Sequence, residues 1–122
     1  DNLKSINDTF GHTAGDEAII SASAILKSAV RDKDLVGRVG GDEFIVLLLV
    51  DNAEFETSFT SRLNSMFNRY NQTSDKPYNL TASVGLTSFT CRPGLEISKV
   101  IDRADQMLYI EKKYKNSAYM KM

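Results

Sequence analysis

The sequence runs to 122 residues, 42% of them hydrophobic, with 15 basic and 16 acidic side chains and a net charge of −1. That is enough chain to bury one core without disulfide or metal staples, and with no dense Lys/Arg block it excludes a surface that tracks a polynucleotide or an anionic membrane. Cys91 is the single cysteine, so no internal disulfide forms, a reducing compartment is favoured and the thiol reads as a small, partly buried hydrophobe; no apolar run reaches the ~20 residues of a membrane span.

The chain opens on Asp1-Asn2-Leu3-Lys4, with no initiator methionine and no leader, as an excised piece of a longer protein would. Leu3, Ile6 and Phe10 recur at helical spacing, predicting a short helix capped by Asp1 or Asn2 and stopped at Gly11. The free N–H groups at its start either suit a phosphate or serve capping alone. Thr13-Ala14-Gly15-Asp16 reads as a second start, and Ala18, Ala22, Ile25, Leu26 and Ala29 trace the apolar face of a helix from Asp16 to Arg31. His12, in the connection, has no Cys or second His nearby and takes a structural role. Arg31-Asp32-Lys33-Asp34 is a charged loop. Arg31 and Asp34 there either complement a helix end and cap a turn, or offer a guanidinium fork and a carboxylate to a guanine edge or a phosphate.

The chain is organised around Gly40-Gly41-Asp42-Glu43-Phe44, between the apolar runs Leu35-Val36 and Phe44–Val50. Adjacent glycines supply the positive φ of a tight hairpin turn and admit another molecule close to the backbone. Asp42 and Glu43 beside them repel one another unless solvated or bridged, and their hard oxygens suit Mg²⁺ or Mn²⁺; an ordinary hairpin with a polar tip is the plainer alternative. Asp51-Asn52 breaks the second strand, and Phe55, Phe59, Leu63, Met66, Phe67 and Tyr70 mark a core-facing helix. After the polar cluster 71–77, the alternation of Leu80, Ala82, Val84 and Leu86 predicts a half-buried strand. Arg92-Pro93-Gly94 turns the chain into a last helix through Ile97, Val100, Ile101, Ala104, Met107 and Leu108 to Lys112-Lys113, and Ser117 to Met122 is expected to add an edge strand. Helices would cover a sheet whose centre, Phe44 to Val50, is buried on both faces, in a two- or three-layer α/β arrangement.

Asn7-Asp8-Thr9-Phe10-Gly11-His12 with Gly15-Asp16, then Arg38-Val39-Gly40-Gly41-Asp42-Glu43-Phe44, Ser83-Val84-Gly85 and Arg103-Ala104-Asp105 with Leu108-Tyr109 and Lys112, closely resemble the GGDEF domains of diguanylate cyclases. The resemblance spans essentially the whole chain and implies one domain over residues 1–122, a piece of a longer cytoplasmic signalling protein whose other parts are free to anchor in a membrane. It implies an α/β (α+β), nucleotide-cyclase or palm-like fold: a central, mostly antiparallel sheet flanked by helices, with the first strand absent. It also implies the condensation of two GTP molecules to cyclic di-GMP and two pyrophosphates, in a homodimer, with Mg²⁺ or Mn²⁺.

Carried over by motif, Asn7 and Asp16 bind guanine, the backbone of Asn2 and Leu3 with Lys4 and Lys112 holds phosphates, and Gly40 and Gly41 admit the nucleotide. Asp42 and Glu43 serve the metal ions and the attacking hydroxyl, and Lys112 counts with them among the catalytic groups. Arg31 and Asp34 occupy the place of the family's product-inhibition site, with Arg62 as a second contact. The family pattern begins Asp-x-Asp; Asp1 matches its second aspartate, and the first, a metal ligand, has no counterpart here, nor has the strand that carries it. Leu3 replaces a usual Phe, and Lys112-Lys113-Tyr114-Lys115-Asn116 departs from Lys-x-x-Gly-Arg-Asn, leaving Lys115 as the substitute phosphate-binding cation. The alternative to an active cyclase is an inactive module that binds GTP or cyclic di-GMP as a sensor.

Overall fold

The computed structural model describes residues 3–49 and 54–120, with side chains placed outside 54–57 and 115–120. Elements follow in the order α1 (Leu3–Phe10), α2 (His12–Ala29), β1 (Leu35–Gly40), β2 (Glu43–Leu47), α3 (Glu54–Thr73) and α4 (Ile97–Met120). The chain forms two compact units, Asp1–Ala82 and Ser83–Met122.

In the first unit, α1 ends where expected. Gly11 adopts φ 94°, a left-handed conformation that only glycine takes without strain, and its N–H donates to the Asn7 carbonyl at 2.9 Å. The chain therefore turns a corner at a single residue and α2 begins at His12, four positions before the expected Asp16. Thr13 to Asp16 is helix interior rather than a cap, because the Gly11 carbonyl already accepts the Gly15 N–H at 3.2 Å. α1 packs on α2 and α2 on α3. Their shared core holds Ile6, Ala18, Ile25, Leu26, Ala29, Phe59, Leu63 and Phe67, the small alanines letting the backbones approach. Tyr78 and Leu80 complete it. The Asn71 carboxamide both donates to and accepts from the Leu80 backbone at 2.7 Å, and the Tyr78 ring meets Phe10.

The sheet of the described residues is the antiparallel hairpin β1-β2 alone, paired from Leu35↔Leu47 to Gly40↔Glu43. The class is α+β, as expected, but the Phe44 to Val50 run is not buried on both faces. Phe44, Val46 and Leu48 are half-buried while Ile45, Leu47 and Leu49 lie 41%, 42% and 54% exposed, with Leu35 and Val39 beside them. A two-stranded ribbon has one face to turn inward, so the alternation that a central strand would lose is kept. Val50 and the Asp51-Asn52 break lie outside the described residues.

One carboxylate ties the ribbon to the helices. Asp34, its side chain 1% exposed, accepts from the Arg31 backbone N–H (2.9 Å) and Nε (3.2 Å) through Oδ2 and from the Leu49 N–H (3.0 Å) through Oδ1. Arg31 Nη2 donates to the Leu49 carbonyl, so both backbone groups of Leu49 are held. The turn cap expected at Asp34 is thus a long-range clasp between the end of α2 and the exit of β2. Burial pushes the Asp34 pKa up, but the Leu49 and Arg31 backbone N–H groups and the Arg31 guanidinium outweigh it and bring it from 3.8 to about 2.

The strand expected over 80–87 forms no ladder among the described strands. In the second unit its residues Val84 and Gly85 lie on α4. The Val84 N–H donates to Glu111 at 2.9 Å, and a Cβ on Gly85 would strike the Ala104 carbonyl, the Leu108 N–H and, at 2.7 Å, the Leu108 Cα. Val100 is buried and Ile101, Ala104 and Leu108 half-buried along this face, whereas Ile97 and Met107, expected on it, are exposed. α4 runs on to Met120, so residues 117–120 are helix in place of the edge strand expected over 117–122; 121 and 122 lie outside the described residues. Cys91, in the loop before the Gly94 turn, is exposed rather than partly buried. No helix among the described residues is long and apolar enough to cross a membrane.

Two outcomes follow. Gly85→Ala is expected to destabilise the second unit by about 1–3 kcal/mol, since backbone rather than a flexible side chain must yield, read as faster amide exchange along α4. The Asp34 pKa is lowered on folding, so its contribution is complete above about pH 4 and is lost as pH falls through about 2. Asp34→Asn turns a donor toward the Arg31 donors and is expected to lower the urea midpoint at neutral pH, with the gap to wild type closing between pH ~4 and ~2; a gap that ignores pH would refute the clasp.

Candidate functional site

Three groups of predicted residues are placed by the first unit. The first sits at the α1–α2 corner. Asn7 is half-buried on α1, Asp16 exposed on α2, and between them the buried Gly15 presents a bare Cα to the Asn7 carboxamide. A Cβ there would overlap Asn7 Oδ1 and approach its Cγ at 2.8 Å. The single-residue turn at Gly11 makes this meeting of Asn7 with Gly15 possible. Lys4 is exposed on α1 and Leu3 half-buried at its start; Asn2 lies outside the described residues.

The second group is the hairpin tip. Gly40 closes the ladder opposite Glu43, leaving a two-residue turn, Gly41-Asp42. Only Gly41 of the two expected glycines takes a positive φ, 49°; Gly40 is a strand residue. Nothing lies within 4 Å of where a Cβ would stand on either, so both offer open backbone. Asp42 and Glu43 are exposed beside them. Among the described residues no group of three His, Cys, Asp or Glu gathers as a metal cage. Two hard carboxylates nevertheless fit Mg²⁺, an ion that keeps several waters and shares its remaining positions with substrate phosphates.

Sequence reasoning passed over Arg38 and the bulge beside it. The register slips between Arg38 and Gly40, so that Val39 is the extra residue, and Arg38 Nε reaches over it to the Gly41 carbonyl at 3.0 Å. The signal was present: an arginine three positions before a turn glycine.

The third group gathers at the C-terminus of α2. Arg31 and Asp34 form the clasp described above, Arg31 keeping 43% of its side chain exposed. Arg62, from α3, donates Nη2 to the Ala29 carbonyl and lies over the Phe59 ring, its guanidinium carbon 5.9 Å from the ring centre. Cations belong at a helix C-terminus, where carbonyls lack partners. Lys112, exposed on α4, belongs to the second unit, and the Lys115 side chain lies outside those described. A shallow hollow on α4 at Asp105, Gln106, Tyr109 and Ile110 shares no residue with these groups.

The chain is similar to known proteins along almost its whole length. The family described as diguanylate cyclase, GGDEF domain, matches residues 1–118. Diguanylate cyclase A of Treponema denticola is 37% identical over 114 residues, covering 92% of this chain and 30% of that protein. Diguanylate cyclase DosC of Escherichia coli is 40% identical over 119 residues, covering 93% and 25%. The chain thus spans less than a third of the length of these curated relatives. Among solved structures, diguanylate cyclase SiaD of Pseudomonas aeruginosa, crystallised with its activator SiaC, superposes with a TM-score of 0.81 at 31% identity over 93% of this chain and 44% of that one. The GGDEF domain of DgcB from Caulobacter crescentus, in complex with c-di-GMP, shares the fold, with a TM-score of 0.76 at 24% identity over 93% and 67%. With the signature on an open hairpin tip and 118 residues matched, the chain belongs to the GGDEF-domain family of diguanylate cyclases.

Proposed function

We propose that this chain is the cyclase module of a longer signalling protein and condenses two GTP molecules into cyclic di-GMP. The observation that carries the reading is the hairpin tip: two unobstructed glycines followed by two exposed carboxylates, on a chain of the cyclase family. Asn7 and Asp16 at the α1–α2 corner read the guanine edge. By their places in the motifs, Lys4 and the backbone of Asn2 and Leu3, and Lys112 and Lys115, are assigned to the phosphates, which lets a slightly acidic protein hold an anion. Asp42 and Glu43 would hold Mg²⁺ or Mn²⁺ and orient the attacking hydroxyl; the ion, when bound there, would supply charge neutralisation for the triphosphate and acidity to that hydroxyl.

In the balanced reaction each 3′-hydroxyl attacks the α-phosphorus of the other nucleotide. Two P–O bonds form, two break, and two pyrophosphates leave with the hydroxyl protons passing to solvent. Each domain holds one GTP, so the reaction needs two copies face to face. Arg31, Asp34 and Arg62, gathered at the end of α2, form the site at which the product binds back, with Arg31 43% exposed there. The module acts in the cytoplasm, where GTP is supplied.

Incubating the natural chain, stripped of product, with GTP and Mg²⁺ and separating nucleotides by chromatography tests the reading. Wild type is expected to make cyclic di-GMP, and the variant carrying Asp42→Ala with Glu43→Ala to lose turnover by about 100-fold or more while still binding cyclic di-GMP. Full synthesis by that variant would remove the metal-site assignment, and a wild-type chain that binds product without making it would be a receptor. Gly15→Ala pushes the Asn7 carboxamide off its seat and is expected to raise KM for GTP about tenfold, the worth of one hydrogen-bonding partner, with kcat little changed; an unaltered KM would take Asn7 out of the guanine site.

A further inference from the structure

We propose that Arg38 is a positioning residue for this chemistry: its Nε–H holds the Gly41 carbonyl and so fixes the turn that presents Asp42 and Glu43. The inference rests on the cyclase reading for its functional consequence, but its structural part stands on geometry.

Gly41-Asp42 is the most weakly determined stretch of the ribbon. It follows a second glycine, it is exposed, and nothing lies within 4 Å of the Cβ position of either glycine, so no packing restrains it. Adjacent glycines have the widest choice of backbone conformation of any pair, and an exposed turn built on them samples several. Two neighbouring carboxylates add repulsion to that freedom. A metal-binding pair needs the opposite, since misplacement by ~1 Å is enough to cost about 100-fold in rate.

The structure meets the need across the turn itself. Val39 is bulged out of register, and Arg38, paired with Phe44, extends past it to donate Nε to the Gly41 carbonyl at 3.0 Å. Bulges re-aim side chains beside functional turns. The Gly41 carbonyl belongs to a turn residue outside the Gly40↔Glu43 ladder pair, so the side chain supplies a partner that the ladder does not. In water such a bond adds little to stability, yet it selects one turn geometry at φ 49°. The consequence therefore appears in catalysis more than in folding.

A guanidinium near two carboxylates and a triphosphate site invites a different reading, that its charge matters. Substitution separates the two. The Nε2 of Arg38→Gln stands at the same number of bonds from the backbone as the arginine Nε and keeps the donor without the charge, whereas Arg38→Lys keeps the charge without a donor at that position.

The experiment takes the natural chain with Arg38→Ala, Arg38→Gln and Arg38→Lys. It reads the Gly41 carbonyl and Asp42 amide NMR resonances, together with kcat and KM for cyclic di-GMP synthesis. Arg38→Ala and Arg38→Lys are expected to move both resonances and lower kcat about tenfold or more, with KM for GTP within about threefold of wild type; Arg38→Gln is expected to restore the resonances and keep kcat within about threefold. Activity that survives in Arg38→Lys and is lost in Arg38→Gln would overturn the proposal in favour of a charge contact, as would unmoved resonances in Arg38→Ala. A wild-type chain that makes no cyclic di-GMP overturns the cyclase reading, and the resonance pattern then supports or overturns the Arg38–Gly41 bond unaided.

Discussion

A ribbon of two strands has too little surface of its own to be stable in water, and here the described hairpin is tied to the helices through the Asp34 carboxylate. Three N–H donors converge on it, two from Arg31 at the end of α2 and one from Leu49 at the exit of β2, while Arg31 returns a bond to the Leu49 carbonyl. A buried charge is costly unless every oxygen is satisfied; here both are, and the depressed pKa is the measure of it. The loop between α2 and β1 is thereby fixed at both ends, and the ribbon leaves it in a set direction.

The same pair of residues occupies the place assigned to product inhibition. The clasp engages Arg31 through its backbone N–H and Nε, which face Asp34, and through Nη2, which donates to the Leu49 carbonyl. Leu49, whose carbonyl accepts from Arg31, lies two residues beyond the end of β2, the strand that begins at Glu43. At the α1–α2 corner the economy is similar: Gly11 makes the corner, Gly15 makes the room, and Asn7 fills it.

Much of this was legible in the residues. Gly11 marked the end of α1, the apolar spacing of Ala18 to Ala29 and of Phe59 to Phe67 marked two core-facing helices, and Gly40-Gly41 marked a tight turn. Three readings failed for one reason. The burial of Phe44 to Val50, the strand over 80–87 and the edge strand after Ser117 each required neighbouring strands, and alternation or apolar content in a segment cannot say whether a partner lies alongside. The α2 start was misplaced because Asp16 looks like a cap, while the hydrogen bond from Gly15 to the Gly11 carbonyl had already begun the helix.

Local chemistry, then, belongs to the sequence: glycine where φ must be positive, paired carboxylates at a turn, helical periodicity, and the ordered motifs that carry the family. These depend on residue type and spacing within a few positions, which a linear string records. Tertiary structure decided that Asp34 is a buried long-range clasp rather than a turn cap, that Gly15 exists to seat Asn7, that Arg62 reaches the Ala29 carbonyl and that Gly85 lets its segment lie on α4. Each of these is a meeting of groups far apart in the chain or on different elements, and which groups meet is fixed by how the helices pack, a property that no short stretch of residues contains.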